Sequence, residues 1–341
     1  MRNPFRRQSA LDLGARSKVL AYLLLLAWSF VVLFPLYWLA ITSLKTPLIV
    51  NSGPAYIPLV DFQPTLANWQ YLVVDTARDT FRPLINTTIV GVSSAILALI
   101  LGSLAGYGLV RFKYRPRVGV IASGIGCIAL AVVAIAFGAP LPVAVVAAVA
   151  VLLLLVRAIG RRPQRRLGNT DISFYLLSQR MLPPVAVVIP IYVLFQRLGM
   201  LDTLQALIVT YAATNLPIVV WLMSDYFAGV PAELEEAAAV DGASPYRVFR
   251  SVILPVSRPG LVATFVLVLV FAWNEYLLAL FLATANAETM PLLVAAQNAT
   301  RGPQYWYMSV LILIMIIPVI AMAVVLERYI TRGVLTGAVK G

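Results

Sequence analysis

The chain has 341 residues, of which 61% are apolar and 12% are charged, and its mean hydropathy is +0.90. This composition lies outside the range of soluble domains and inside that of proteins with many membrane spans. The 26 Lys and Arg residues lie between hydrophobic segments, so the net charge of +12 does not indicate nucleic-acid binding. With no His and one Cys, we expect no catalytic site, no metal site and no cofactor held by this chain.

Apolar stretches of about 17 to 25 residues predict eight membrane-spanning helices. In chain order they cover residues 19–42, 84–109, 118–137, 139–156, 174–196, 204–227, 260–283 and 306–327. With a cytoplasmic N-terminus, the inner loops carry 20 Lys and Arg and the outer loops carry 5. Because the positive-inside rule requires such a bias, we expect a multi-pass protein with both termini in the cytoplasm.

The stretch 118–156 has 39 residues without a charge and basic clusters on both sides. Basic flanks require an even number of crossings. At about 1.5 Å per residue, the stretch is just long enough for two, with a turn at Gly138, Pro140 and Pro142. A re-entrant or interfacial hairpin is the alternative.

The long inner loop 228–259 predicts two short helices. Pro231 suits a first helical position, and the acidic residues that follow it favour the positive end of the helix dipole. Gly242 can adopt the left-handed conformation that ends a helix. Ser244 then provides an N-cap for a second helix, which we expect to end where Pro255 removes a backbone donor.

This predicted helix pair has the character of a docking surface. Three consecutive alanines, 237–239, leave one side of the first helix flat, and Tyr246 and Phe249 are expected to project as apolar knobs. A helical hairpin that packs against its own membrane core is the alternative.

The same loop resembles the EAA motif of ABC importer permeases. Glu236-Ala237-Ala238 is followed by Gly242 and then by Val252-Ile253-Leu254-Pro255, with Val252 in place of the usual Ile. The resemblance covers nearly the whole chain and is closest to the second, shorter subunit of maltose-type carbohydrate permeases. It is carried further by Gly102–Phe112, Met181–Pro184, Ile189–Tyr192, Asp202-Thr203, Trp273–Tyr276, Arg328–Gly333 and Gly337–Gly341.

The resemblance implies an all-α polytopic membrane protein with the six-helix core of type I ABC importers. A two-helix hairpin at 114–172 would interrupt that core. The implied segments are a cytoplasmic tail at 1–18, the first span, an outer loop and core helix 2 at 19–113, the inserted hairpin, and core helices 3–6 at 173–341, including a coupling loop at 228–259 and a C-terminal tail.

The resemblance also implies a permease subunit of an ATP-driven, binding-protein-dependent importer of carbohydrates in a bacterial or archaeal cytoplasmic membrane. Its partners would be a second permease subunit, a dimer of ATPase subunits that bind ATP and Mg, an extracytoplasmic solute-binding protein and the lipid bilayer. The chain has no G-x-x-x-x-G-K-[ST] phosphate loop, so hydrolysis is expected in the partner. The coupling residues implied are Glu235, Glu236, Ala237, Ala238, Asp241, Gly242, Tyr246, Phe249, Leu254 and Pro255.

Asn274 and Glu275 lie inside an otherwise apolar predicted span. Polar groups at that depth usually face a water-filled path, which makes them candidates for the substrate path; hydrogen bonding between helices is the other interpretation. An ion-coupled secondary transporter is an alternative function, although it would place matched broken helices in two halves. An ABC permease for a polyol or glycerol phosphate is another.

Overall fold

The computed structural model describes residues 15–115, 117–159, 167–179, 182–298 and 302–337. Within these ranges the chain is helical, with one isolated bridge between Pro58 and Phe62. Two π-helical turns, Tyr71–Asp75 and Phe249–Ile253, continue neighbouring helices. The α-helices are α1 (Ala15–Ser43), α2 (Pro47–Ser52), α3 (Ala67–Gln70), α4 (Ala77–Arg111), α5 (Val118–Ala136), α6 (Leu141–Ile159), α7 (Asn169–Ser178), α8 (Pro184–Arg197), α9 (Leu204–Ala228), α10 (Ala232–Val240), α11 (Pro245–Val248), α12 (Leu254–Val256), α13 (Arg258–Trp273), α14 (Leu277–Leu282), α15 (Met290–Ala296) and α16 (Tyr305–Gly337).

Six of the described helices, α1, α4, α5, α6, α9 and α16, are long and apolar enough to cross a membrane. A seventh candidate is the segment Pro245–Val256 together with α13, which meet at 79°. The all-helical, polytopic prediction is confirmed, and the count of eight spans is approximate. The predicted span 174–196 is divided into α7 and α8, and the predicted span 260–283 is divided into α13 and α14.

The chain forms two compact units, of which the larger comprises Arg78–Ala296 and Met315–Gly341. Its core lies where α4, α9 and α13 pack together. A Cβ atom on Gly102 would lie 2.5 Å from a methyl group of Val219, and one on Gly260 would lie 2.4 Å from the ring of Tyr226. Since such contacts leave no room for a side chain, these glycines allow the helix backbones to approach closely.

Helices α5 and α6 pack together as a hairpin, which confirms the predicted pair of helices in this region. The turn between them contains Gly138 at φ +99°. Asn169 joins the two ends of the segment, because its amide donates to the carbonyls of Leu109 and Phe112 and its oxygen accepts from the backbone N–H of Tyr114. The segment therefore leaves and rejoins the core at one point. That it is an insertion relative to other permeases stays a prediction, as do the segment boundaries.

The smaller unit comprises Met1–Ala77 and Gln297–Ile314. The side chains of α1 between residues 18 and 37 are exposed except that of Ala21, which is half-buried, as expected of a helix surrounded by lipid. The end of α1 is closed by Asn68, whose side-chain amide donates to the carbonyls of Ser43 and Lys45 at 3.0 and 2.8 Å. Residues 1–14 of the predicted N-terminal tail and residues 338–341 of the C-terminal tail lie outside the described ranges.

Candidate functional site

The loop between α9 and α13 contains two short helices joined by a turn, as predicted from its sequence. Helix α10 begins one residue after Pro231 and ends before Gly242, whose φ of +78° confirms the left-handed helix end. The Ser244 hydroxyl accepts from the backbone N–H of Arg247 at 3.4 Å, so the predicted N-cap is also confirmed. The helical segment Pro245–Val256 ends one residue after Pro255, so the predicted end of the second helix is confirmed to within one residue.

One face of α10 is clamped to the end of α4. Arg111 forms an ion pair with Glu235, and the hydroxyl of Tyr107 donates to the other oxygen of the same carboxylate at 2.8 Å. The Arg111 guanidinium also donates to the carbonyl of Phe227, in the last turn of α9, at 3.2 Å and to that of Val230, just beyond it, at 2.7 Å. We call these three side chains, Tyr107, Arg111 and Glu235, the α10 clamp. The clamp ties three segments together through charge-assisted hydrogen bonds.

Phe249 belongs to the core and does not project from the loop. Its side chain is only 6% exposed, and its ring centroid lies 4.9 Å from that of Tyr107 and 6.0 Å from that of Phe227. The expectation of an exposed knob at this position is therefore wrong, because three aromatic rings gain more by packing together than by facing solvent. Ala238 and Leu254, two other predicted coupling residues, also pack against this core.

The residues that remain on the outer face of the loop form an exposed surface, which we call the loop face. Tyr246 is 67% exposed and Val240 is 89% exposed. Val240 had no distinguishing sequence signal apart from its position directly before the helix-ending Asp-Gly pair. The loop face consists of Glu236, Ala237, Val240, Asp241, Gly242 and Tyr246.

The predicted path residues separate in the structure. Glu275 lies at the break between α13 and α14, where its carboxylate accepts from the backbone N–H of Leu278 at 3.0 Å and so caps α14. Its carbonyl accepts from the hydroxyl of Tyr211 at 3.3 Å. Asn274 instead donates to the carbonyl of Val270 within its own helix. The break thus directs Glu275, and not Asn274, to the cavity described next.

A cavity of about 540 Å³ adjoins this break. Polar side chains from α7, α9 and the helix break converge on it, together with the rings of Tyr175, Tyr211 and Phe271. Its volume lies in the range of small-molecule sites in proteins. The polar residues that line it include Tyr175, Gln179, Tyr211, Thr214, Asn215 and Glu275.

Asp202 organises the loop that follows α14. Its carboxylate accepts hydrogen bonds from the four consecutive backbone N–H groups of residues 284–287 and from the side chain of Asn286. Burial raises the pKa of Asp202, but the four backbone donors outweigh it and the pKa falls to about 2. Thr203 then caps α9 by accepting from the backbone N–H of Ala206. The Asp202-Thr203 pair therefore has a structural explanation.

Comparisons with known proteins agree with this geometry. Residues 162–336 match the model of the family described as binding-protein-dependent transport system inner membrane component. The chain is 30% identical over 312 residues to a probable ABC transporter permease protein, y4oR, of Sinorhizobium fredii, with 92% of each chain covered. It is 26% identical to the trehalose/maltose transport system permease protein MalG of Thermococcus litoralis, covering 96% of this chain and 99% of that one.

Two further comparisons extend this result. The trehalose transport system permease protein SugB of Mycobacterium tuberculosis is 29% identical over 320 residues, covering 91% of this chain and 93% of that one. A crystal structure of a bacterial ABC transporter involved in the import of the acidic polysaccharide alginate contains a chain with the same fold. That chain is 20% identical, has a TM-score of 0.62, and is matched over 93% of this chain and 99% of its own length. The chain therefore belongs to the family of binding-protein-dependent transport system inner membrane components, the permease subunits of ABC importers.

Proposed function

We propose that this chain is one of two permease subunits of an ATP-driven, binding-protein-dependent importer of carbohydrates. The substrate class is supported by the relatives from Thermococcus litoralis and Mycobacterium tuberculosis, whose names assign them to trehalose and maltose transport. Because the sequence contains no phosphate loop, hydrolysis is assigned to separate ATPase subunits. A second permease subunit and an extracytoplasmic binding protein complete the importer, in a bacterial or archaeal cytoplasmic membrane with both termini inside.

The observation that carries this proposal is the division of the loop into an anchored side and an exposed side. The α10 clamp holds the loop to α4 and to the end of α9, so a displacement of the loop is transmitted to two long membrane helices. The loop face offers the exposed ring of Tyr246 to an ATPase subunit, and exposed charged residues of both signs, Glu236, Asp241 and Arg247, lie on the same loop. An exposed ring among charged residues suits a partner groove with an apolar floor and a polar rim.

The cavity beside Glu275 is the proposed contribution of this chain to the substrate path. Hydroxyl, amide and carboxylate groups can exchange hydrogen bonds with the hydroxyl groups of a sugar. The exposed ring of Tyr175 provides a flat apolar surface for the C–H face of the sugar. Because Glu275 also caps α14, sugar binding there would be linked to the geometry of the helix break.

Reconstitution tests the function. The chain is purified with its cognate permease, ATPase and binding-protein partners, placed in proteoliposomes, and supplied with radiolabelled trehalose, maltose and longer glucosides. Uptake is expected to require ATP inside, to stop when the catalytic carboxylate of the partner ATPase is replaced, and to continue with an ionophore present. Uptake that needs an ion gradient and no ATPase would refute the proposal.

A further inference from the structure

A second cavity, of about 480 Å³, lies wholly within the smaller unit. It is formed between the last turns of α1, the segment that follows α2, and the first turns of α16. Leu39, Met308 and Ile312 give it apolar walls. The polar and aromatic residues that line it are Trp38, Thr42, Lys45, Tyr56, Tyr305 and Ser309.

Lys45 brings a buried positive charge to this cavity. The residue is only 2% exposed, and its ammonium group lies 4.3 Å from the ring centroid of Trp38 and 5.2 Å from that of Phe62. In the described part of the chain no carboxylate lies within ion-pair distance of Lys45. Asp61 has a favourable charge interaction with Lys45, but its carboxylate accepts from two backbone N–H groups, those of residues 56 and 57, and it forms no ion pair with the lysine. Aromatic faces offset part of the cost of burying a cation, and an anion would offset more.

A hydroxyl group beside Lys45 also lacks a partner. Thr42 is 4% exposed, and its side-chain oxygen has no hydrogen-bond partner among the described residues. By contrast, the Ser309 hydroxyl donates to the carbonyl of Tyr305 at 2.7 Å. Because buried polar groups in folded proteins are almost always paired, a ligand oxygen that accepts from Thr42 would complete the site.

The position of the cavity along the helices indicates the kind of anion. The apolar span of α1 ends at Ser43 and that of α16 begins at Tyr305, so the cavity lies at the ends of two membrane spans. Trp and Tyr residues concentrate at this level, where phospholipid head groups lie. The apolar walls belong to the span side of the cavity and suit the glycerol backbone and the start of an acyl chain.

We propose that this cavity binds the phosphate group of a membrane glycerophospholipid. The Lys45 ammonium pairs with one phosphate oxygen and the Thr42 hydroxyl donates to another, while the apolar walls contact the first acyl carbons. Basic pockets between membrane helices on the cytoplasmic side bind lipid head groups by this combination of charge and apolar contact, and the same chemistry applies at the outer ends of α1 and α16. The proposal concerns a lipid site and is independent of the sugar that the importer carries.

The test is native mass spectrometry of the assembled transporter released from nanodiscs of phosphatidylglycerol and phosphatidylethanolamine. Retention of one phospholipid is expected for the unmodified transporter and for Lys113→Met, an exposed lysine that serves as the matched control. Lys45→Met, which keeps the aliphatic stem against Trp38, is expected to reduce the retained fraction at least tenfold. Equal retention by Lys45→Met would overturn the proposal.

A second variant covers the case in which Lys45→Met does not assemble. Thr42→Val replaces a hydroxyl without a partner by an apolar group of the same shape, which is close to neutral for stability. It is expected to lower lipid retention several-fold at unchanged expression, and unchanged retention would overturn the site. Thermal protection of the delipidated transporter by inorganic phosphate, with no lipid retained in native spectra, would overturn the lipid assignment.

Discussion

Removing the guanidinium of the α10 clamp is expected to loosen α10 without unfolding the membrane helices. In Arg111→Met, Glu235 keeps only Tyr107 as a partner, and the two carbonyls at the end of α9 lose their donor. The side chains of the ion pair are 20% and 15% exposed. Breaking a fully buried pair costs about 3 to 5 kcal/mol and breaking an exposed one about 0 to 1. We therefore expect local opening of α10 to become easier by about 2 kcal/mol, which is roughly 30-fold in its equilibrium constant.

Hydrogen–deuterium exchange of the reconstituted transporter measures this change directly, because amide exchange in α10 reports the local opening equilibrium. Exchange in α10 is expected to accelerate by roughly 30-fold in Arg111→Met, while Glu236→Gln, which alters the neighbouring exposed carboxylate, leaves it unchanged. Each single variant, Arg111→Met or Glu235→Gln, is expected to lower the free energy of opening of α10. In the double variant this free energy is expected to fall by less than the sum of the two single effects, as for two groups in contact. Strict additivity, or equal exchange in Arg111→Met and Glu236→Gln, would refute the clamp.

Three further changes test other parts of the structure. Gly260→Ala places a methyl group 2.4 Å from the ring of Tyr226 and is expected to reduce the yield of folded protein in the membrane severalfold. Its control is Gly124→Ala, where a methyl group would have no atom within 4 Å, and this variant is expected to express normally. Tyr246→Ala is expected to weaken ATPase binding in a pull-down at unchanged thermal stability, whereas Phe249→Ala, which empties a core position, lowers the unfolding temperature as well. The folded-state pKa of Asp202, about 2, lies below its ordinary value of 3.8, so its stabilisation is complete above about pH 4 and is lost as the pH falls through 2. The amide exchange rates of residues 284–287, corrected for their intrinsic dependence on pH, should therefore stay constant between pH 5 and 8. Asp202→Asn should raise these corrected rates across the same pH range.

The sequence predicted the long spans because the thickness of the membrane sets the length of an apolar run directly. Hydropathy carries no signal for a break inside such a run, so the interruptions at Pro183-Pro184 and at 274–276 were counted as continuous helix. A proline pair indicates a possible break in a helix. The polar pair Asn274-Glu275 indicates a break only if polar groups within a span are taken to mark helix ends, whereas the substrate path was the prediction for this pair.

The end of α10 at Gly242 and the cap of α11 by Ser244 were also predictable, because each depends only on residues that are close in sequence. The burial of Phe249 and the pairing of Glu235 were not. Arg111 and Glu235 are separated by 124 positions, and neither has a sequence signal that names the other. Arg111 lies in the Gly102–Phe112 segment that resembles the family, but the resemblance does not show what it binds.

The separation of anchored and exposed residues changes what a substitution in this loop can reveal. Glu235 and Glu236 are adjacent in sequence, yet one carboxylate is held by the α10 clamp and the other lies on the loop face. Under the proposed function, we therefore expect loss of transport in a Glu235 variant to report a displaced loop, and loss in a Glu236 variant to report a weakened contact with the ATPase. The two are distinguished by ATPase binding after α10 exchange has been measured, since only a Glu236 variant should lose binding while α10 remains closed.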